Sequence, residues 1–177
     1  RPDELSRRDY HNYLVAKIQE VRDYPYMKAP IDAVNFGGGT PTSLAPAQMR
    51  AVLSALHENF TIAKGAEISV ETSATELSDE MIEVLRVGGV NRLSVGIQTF
   101  DDAMRKLLGR RGSGEFAASR VAAAIRAGIT NTGVDLIYNT PGESDEVLDR
   151  DLDTLAALDV AGVSLYSLIL HEKTPLY

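Results

Sequence analysis

An α/β fold built on parallel strands is predicted by three observations on the 177-residue sequence. Short β-branched runs end in small or polar residues, and each is followed by an amphipathic stretch of helical period with glycine near its end. One of these junctions, Phe36-Gly37-Gly38-Gly39-Thr40-Pro41, removes three successive Cβ atoms where a strand gives way to a helix. The length is that of about one domain, and a hydrophobic content of 44% is enough for a buried core. Right-handed crossovers between parallel strands produce either a doubly wound sheet or part of a βα barrel. The chain is too short for a complete eight-stranded barrel, so an incomplete barrel or an open sheet is expected.

The elements follow in order. An opening helix is expected over 8–24, with Tyr10, Tyr13, Leu14, Ile18 and Val21 on one side. Five strands are expected over 31–36, 67–71, 92–98, 132–138 and 162–168. Between them lie helices over 46–59, 79–87, 115–127 and 145–158, with a short helical turn over 101–108. Met49, Val52, Leu53 and Leu56 recur at helical spacing in the first of these. Ser78 and Ser144 stand as N-caps before the acidic first turns Asp79-Glu80 and Asp145-Glu146, which suit the positive end of a helix dipole. Gly88-Gly89 and Gly128 fall where a left-handed C-terminal cap is expected. No low-complexity segment or short repeat interrupts the series.

Composition narrows the function classes. A net charge of -7 argues against non-specific nucleic-acid binding, and the local cluster Arg105, Lys106, Arg110 and Arg111 reads as a solvated helix end. No apolar run reaches the length of a membrane span and the amino terminus shows no signal-peptide pattern, so a cytosolic setting is the simplest expectation. The sequence has no cysteine, which excludes disulfides, thiolate nucleophiles and cysteine-ligated metals for these 177 residues. His11, His57 and His171 form no ligand pair and read as surface or helix-face residues.

The chemistry is expected at the carboxyl ends of the strands, where α/β folds bind ligands. The glycine loop fits neither the phosphate loop of nucleotide triphosphatases nor a dinucleotide fingerprint. If the strands run parallel, Gly37, Gly38, Gly39, Glu71, Gln98, Asp135, Tyr138 and Tyr166 converge on one rim. Glu71 and Asp135 interrupt apolar strands, where a carboxylate needs donors. For Glu71 these are Arg92, Arg110 or a ligand; for Asp135 they are backbone amides at a turn or a ligand. Gln98 follows a run thinned by Gly96 and carries an amide that needs both a donor and an acceptor. Tyr138 and Tyr166 read as packing residues rather than catalysts.

These residues resemble the oxygen-independent coproporphyrinogen III oxidase family of radical S-adenosylmethionine enzymes, a group that also contains haem chaperones and radical methyltransferases. The likeness runs through Phe36 to Thr42, Glu71, Asn91-Arg92-Leu93-Ser94-Val95-Gly96-Ile97-Gln98-Thr99-Phe100, Leu108-Gly109-Arg110, Asp135-Leu136-Ile137-Tyr138, Pro141-Gly142-Glu143, Ser164-Leu165-Tyr166-Ser167-Leu168 and Thr174-Pro175-Leu176. It implies a partial (β/α)6 TIM-like barrel with S-adenosylmethionine lying across the strand ends. Residues 1–177 then form a core fragment running from the first helix to just past the sixth family strand. The resemblance assigns Gly37, Gly38, Gly39 and Thr40 to the cosubstrate, with Gly38 and Gly39 meeting its methionine amino group. Glu71, Gln98, Arg110 and Asp135 match further contacts, and Arg110 suits a carboxylate.

The family carries a Cys-x-x-x-Cys-x-x-Cys loop that holds a 4Fe-4S cluster. That loop has no counterpart here, and no catalytic or metal-ligating residue is assigned to this chain. Two loops also depart from the family: Thr72-Ser73-Ala74 follows Glu71 where a residue and then proline are usual, and Asn139-Thr140 precedes Pro141 where Gly-Leu is usual. The resemblance implies a parent oxidoreductase that decarboxylates a porphyrinogen through a 5′-deoxyadenosyl radical, with the fragment itself inactive. A radical methyltransferase acting on an aromatic or haem-derived molecule and a haem chaperone without turnover are the alternatives. The implied partners are a tetrapyrrole or other aromatic substrate and an electron donor. The strand edge left open at 31–36 favours either association with another chain, a second copy included, or a disordered border.

Overall fold

The computed structural model describes residues 4–172. Helix α1, Glu4–Val21, is followed by a 3-10 turn, Pro25–Lys28, and then by strand β1, Ile31–Phe36. The remaining elements alternate: α2 (Pro46–Asn59), β2 (Ile62–Thr72), α3 (Asp79–Val87), β3 (Arg92–Gln98), α4 (Asp102–Leu107), α5 (Gly114–Arg126), β4 (Asn131–Tyr138), α6 (Asp145–Leu158) and β5 (Gly162–Ser167). All pairings are parallel and the sheet order is β1-β2-β3-β4-β5. Sequential order without a reversal excludes the doubly wound arrangement, which needs a switch point in the sheet. The sheet instead curls about one face as a partial barrel.

Strand alternation divides the two faces. Ile68, Val70, Leu93, Val95, Ile97, Val134 and Leu136 point outward and form one core with Val52, Leu53, Met81, Leu85, Val121, Ala124 and Leu155 of the helices. The opposite set, which includes Asn35, Ser69, Glu71, Ser94, Asp135, Ser164 and Tyr166, lines the concave face. Only one side of the sheet is therefore apolar, which is unusual for parallel strands and reserves the other side for polar contacts.

Several boundaries depart from expectation. Strand β2 begins at Ile62 rather than 67, because Ile31 pairs with Ile62 across an irregularity that absorbs the extra residues before Ala33 meets Glu67. The opening helix stops at Val21, and the segment as far as Lys28 is a separate 3-10 turn carrying Pro25 at its start. Of its expected apolar side, Leu14 and Ile18 pack on the core, whereas Tyr10 and Tyr13 are exposed.

Ser78 caps α3 by accepting the Met81 N–H at 3.1 Å. Ser144 holds the N-cap position of α6 without a capping bond, and its hydroxyl bonds Glu146 and holds that carboxyl below its ordinary range. Gly89 and Gly128 take positive φ after α3 and α5, but Gly88 (φ -72°) does not. Strand β1 is an edge of the sheet, as is β5, whose Val163, Leu165 and Tyr166 are exposed. Tyr138 and Tyr166 are consequently not packing residues: one ends β4 at the rim and the other lies on the concave face of an edge strand. Among the described residues no helix is long and apolar enough to cross a membrane. The Thr174-Pro175-Leu176 motif lies outside the described residues.

Candidate functional site

The concave face encloses a hollow of about 780 Å³, reached by Gly39, Thr40, Glu71, Gln98, Arg110 and Asp135. A second crevice, about 900 Å³, runs between α1, α2 and β1 and opens onto Gly37, Gly38 and Gly39. Gly39, Thr40 and Arg110 line both, so the two spaces meet where the glycine loop faces Arg110. All eight residues expected at the site therefore border these two adjoining spaces at the strand ends.

The register explains the grouping. Glu71 is paired with Ser94, Gly96 with Asp135, and Asp135 with Ser164, so these side chains form rows across the inner face. Glu71 Oε2 accepts the Gly38 N–H at 3.2 Å, which ties the second strand to the glycine loop. It is not paired with Arg92 or Arg110; Arg92 bonds Glu67 at 3.2 Å instead. Asp135 does not serve a turn, because its Oδ2 accepts the Ser94 hydroxyl at 3.0 Å. A side-chain donor on the neighbouring strand was the signal that sequence spacing could not supply.

Each glycine has its own reason. A Cβ on Gly37 would stand 3.0 Å from both Asn35 Nδ2 and Glu71 Oε1, so a larger residue there would have to push these two side chains aside. Gly38 and Gly39 have φ of +79° and +55° and nothing within 4 Å of a Cβ position, so the loop presents bare backbone to the opening, with the Gly38 N–H already engaged by Glu71. Asn35 belongs to the site although its sequence gave no sign of it; its Oδ1 accepts the Ser69 hydroxyl at 2.7 Å.

Gln98 has φ of +74°, and the β3–β4 register shifts between Gly96 and Gln98. A left-handed, non-glycine residue at the end of a central strand is costly and marks a locally over-determined segment. Its amide nitrogen lies 2.9 Å from where a Gly96 Cβ would be, so glycine at 96 makes room for the side chain.

Arg110 is half-buried, and burial followed by the nearby Arg105 charge lowers its pKa from the ordinary arginine value. Among the described residues no carboxylate offsets these effects, so the guanidinium is available to an anionic group. The expectation of a solvated basic cluster fails at Arg105, which is 4% exposed and bonded to main-chain carbonyls. Lys106 and Arg111 remain on the surface. His57 likewise serves structure, with Nε2 3.0 Å from the Gly88 carbonyl oxygen.

Asp151 of α6 is also buried and accepts the Phe100 N–H at 2.8 Å, just beyond Gln98. Burial raises its pKa, against the lowering by Thr99 and the Phe100 amide. A raised carboxyl pKa in the folded state means stability is greatest below the unfolded value and declines as pH rises through the folded value. Asp151→Asn, which keeps an acceptor for Phe100, is expected to gain in thermal stability relative to the wild type as pH rises from about 4, the ordinary aspartate value, to about 7. A wild-type-to-variant difference in melting temperature that is flat with pH would contradict the assignment.

A sequence profile of the radical SAM superfamily matches residues 5–155. The chain belongs to the radical SAM superfamily. Its similarity to the haem chaperone HemW of Lactococcus lactis is 35% identity over 162 residues, covering 92% of this chain and 42% of that protein. The oxygen-independent coproporphyrinogen III oxidase of Escherichia coli K12 is 34% identical over 157 residues, covering 88% and 34%. The solved structure of coproporphyrinogen III oxidase HemN from E. coli, described as a radical SAM enzyme, superposes with a TM-score of 0.83 at 32% identity, over 93% of this chain and 38% of that one. The radical SAM chain thus spans less than half the length of these relatives, and its curled sheet is the partial barrel of their fold.

Membership implies S-adenosylmethionine and a 4Fe-4S cluster. The residues present fit the first: exposed glycines, a guanidinium that no carboxylate pairs with among the described residues, and the carboxylates of Glu71 and Asp135 border two adjoining spaces. They do not fit the second. The 177 residues hold no cysteine, and among the described residues no group of three or more His, Asp or Glu side chains is placed to hold a metal.

Proposed function

We propose that this chain is the S-adenosylmethionine-binding part of a radical SAM protein of the coproporphyrinogen III oxidase type, whose whole protein oxidatively decarboxylates a porphyrinogen. The observation that carries the reading is the convergence of Gly38, Glu71, Gln98 and Asp135 on two adjoining spaces that share Gly39 and Arg110. Glu71 receives the ammonium group of the methionine moiety beside the glycine loop, and Arg110 receives its carboxylate. Asp135 and Gln98 accept and donate to the ribose hydroxyls and adenine edge, with Ser94 holding Asp135 in place. Gly37 and Thr40 shape the loop that closes over the methionine end. When bound, S-adenosylmethionine supplies the hydrogen-abstracting equivalent; the chain's own residues bind it, orient it and exclude water.

A haem chaperone is the second reading, favoured by the 35% identity to HemW. The two readings share the cosubstrate site and differ in what the whole protein does with a tetrapyrrole. Formation of 5′-deoxyadenosine by the whole protein with reductant and coproporphyrinogen III supports the oxidase reading; stable haem binding without it supports the chaperone.

The site itself is tested on the 177-residue chain by equilibrium dialysis with labelled S-adenosylmethionine. Glu71→Gln and Asp135→Asn are each expected to weaken binding by about tenfold, the loss of one charge-assisted hydrogen bond. Affinity unchanged in both variants would remove the basis of the reading.

A further inference from the structure

Arg105 of α4 is a buried cation whose donors are spent on main-chain carbonyls rather than on a carboxylate. Its Nη1 donates to the Ile97 oxygen at 3.2 Å and to the Thr99 oxygen at 2.8 Å. Its Nε donates to the Gly112 oxygen at 2.9 Å, and Nη2 to the Arg111 oxygen at 2.9 Å. These acceptors fall into two groups with different neighbours: Ile97 and Thr99 bracket Gln98, while Arg111 and Gly112 directly follow Arg110. The Arg105 carbonyl in turn accepts the Arg110 N–H at 2.7 Å.

We propose that Arg105 is the positioning residue of the concave site, one planar guanidinium that locks Gln98 and Arg110 in fixed relation to each other. The inference rests on the reading of the concave face as a cosubstrate site. Ordinary strand geometry does not maintain the +74° φ of Gln98, so its two flanking carbonyls need a common donor to hold the turn. The loop carrying Arg110 has Gly109 and Gly112 at φ of +66° and +76°, a pliable segment that would otherwise let the guanidinium of Arg110 wander. A forked, planar donor set reaches both groups at once; a lysine ammonium, with its donors on one atom, does not. Asp151 completes the bracket from the other side by accepting the Phe100 N–H.

Two measurements on the full chain test this. In Arg105→Lys, hydrogen exchange at the Phe100 and Arg110 amides is expected to accelerate together by about tenfold, with β4 amides unchanged. The same variant is expected to weaken S-adenosylmethionine binding by about tenfold in the wild-type background and by about threefold when Arg110→Gln is already present, the remaining loss being the share carried through Gln98. Loss of equal size in both backgrounds, or exchange that changes at only one of the two amides, overturns the proposal. Should Arg105→Lys fail to fold, native-state exchange of the wild type in low denaturant decides: a single opening free energy for Phe100 and Arg110 upholds the lock, and two different values refute it. If the wild type binds no S-adenosylmethionine, the cosubstrate reading fails while the exchange result still decides whether Arg105 couples the two segments.

Discussion

Gly114→Ala is expected to destabilise the chain by about 3 kcal/mol or more, the largest single-residue effect the structure implies. A Cβ at this position would overlap the Phe100 carbonyl oxygen and stand 2.6 Å from its carbon and 3.0 Å from its Cα. These are backbone atoms, and neither side can retreat. The Gly114 N–H is bonded to Asp102 Oδ1 at 2.7 Å, and the Phe100 N–H to buried Asp151 at 2.8 Å. Alanine's better helix propensity returns only about 1 kcal/mol at most. Urea unfolding should show the loss, with Gly162→Ala as the comparison, because nothing lies within 4 Å of that Cβ position. Equal midpoints for the two variants would mean that α5 is not seated against the end of β3 as described.

Arg110→Met is expected to have the opposite profile: S-adenosylmethionine affinity falls by about thirtyfold while thermal stability holds or rises. The affinity loss is that of a charge-assisted, two-pronged contact to a carboxylate. Stability is spared because, among the described residues, no carboxylate pairs with the guanidinium, and burial already works against its charge. Dialysis and a thermal melt on the same preparation check both halves. A variant that melts early and binds normally would make Arg110 a structural residue and move the carboxylate contact elsewhere. Together with Gly114→Ala, it separates the architecture that holds the rim from the groups that face the ligand.

Much of this arrangement was legible before any coordinates. The bounds of β1, β3, α2, α3 and α6 follow from alternation and caps, because local rules and tertiary packing agree there. The convergence of Glu71, Gln98 and Asp135 followed from parallel strands alone. What escaped was tertiary. Arg105 looks like any cation in the last turn of a short helix, and only the tertiary fold brings the carbonyls of Ile97, Thr99, Arg111 and Gly112 to it. Asn35 and Ser94 are unremarkable polar residues until the register sets them beside Ser69 and Asp135. The early start of β2 depends on an irregular pairing with β1 that no periodicity in 62–66 announces. Tyr166 reads as a core aromatic, and its exposure comes from the position of β5 at the sheet edge.

The unequal faces of the sheet also bear on how the chain reaches its fold. In a parallel sheet apolar on both sides, a strand displaced by one position still buries greasy side chains and can persist as a misassembled form. Here the same displacement would drive Glu71, Asp135 or Arg92 into the helical layer and turn Val70, Val134 or Leu93 toward water. Such an error costs enough to be unstable from the outset. The groups that equip the hollow for binding therefore also proofread strand pairing during folding.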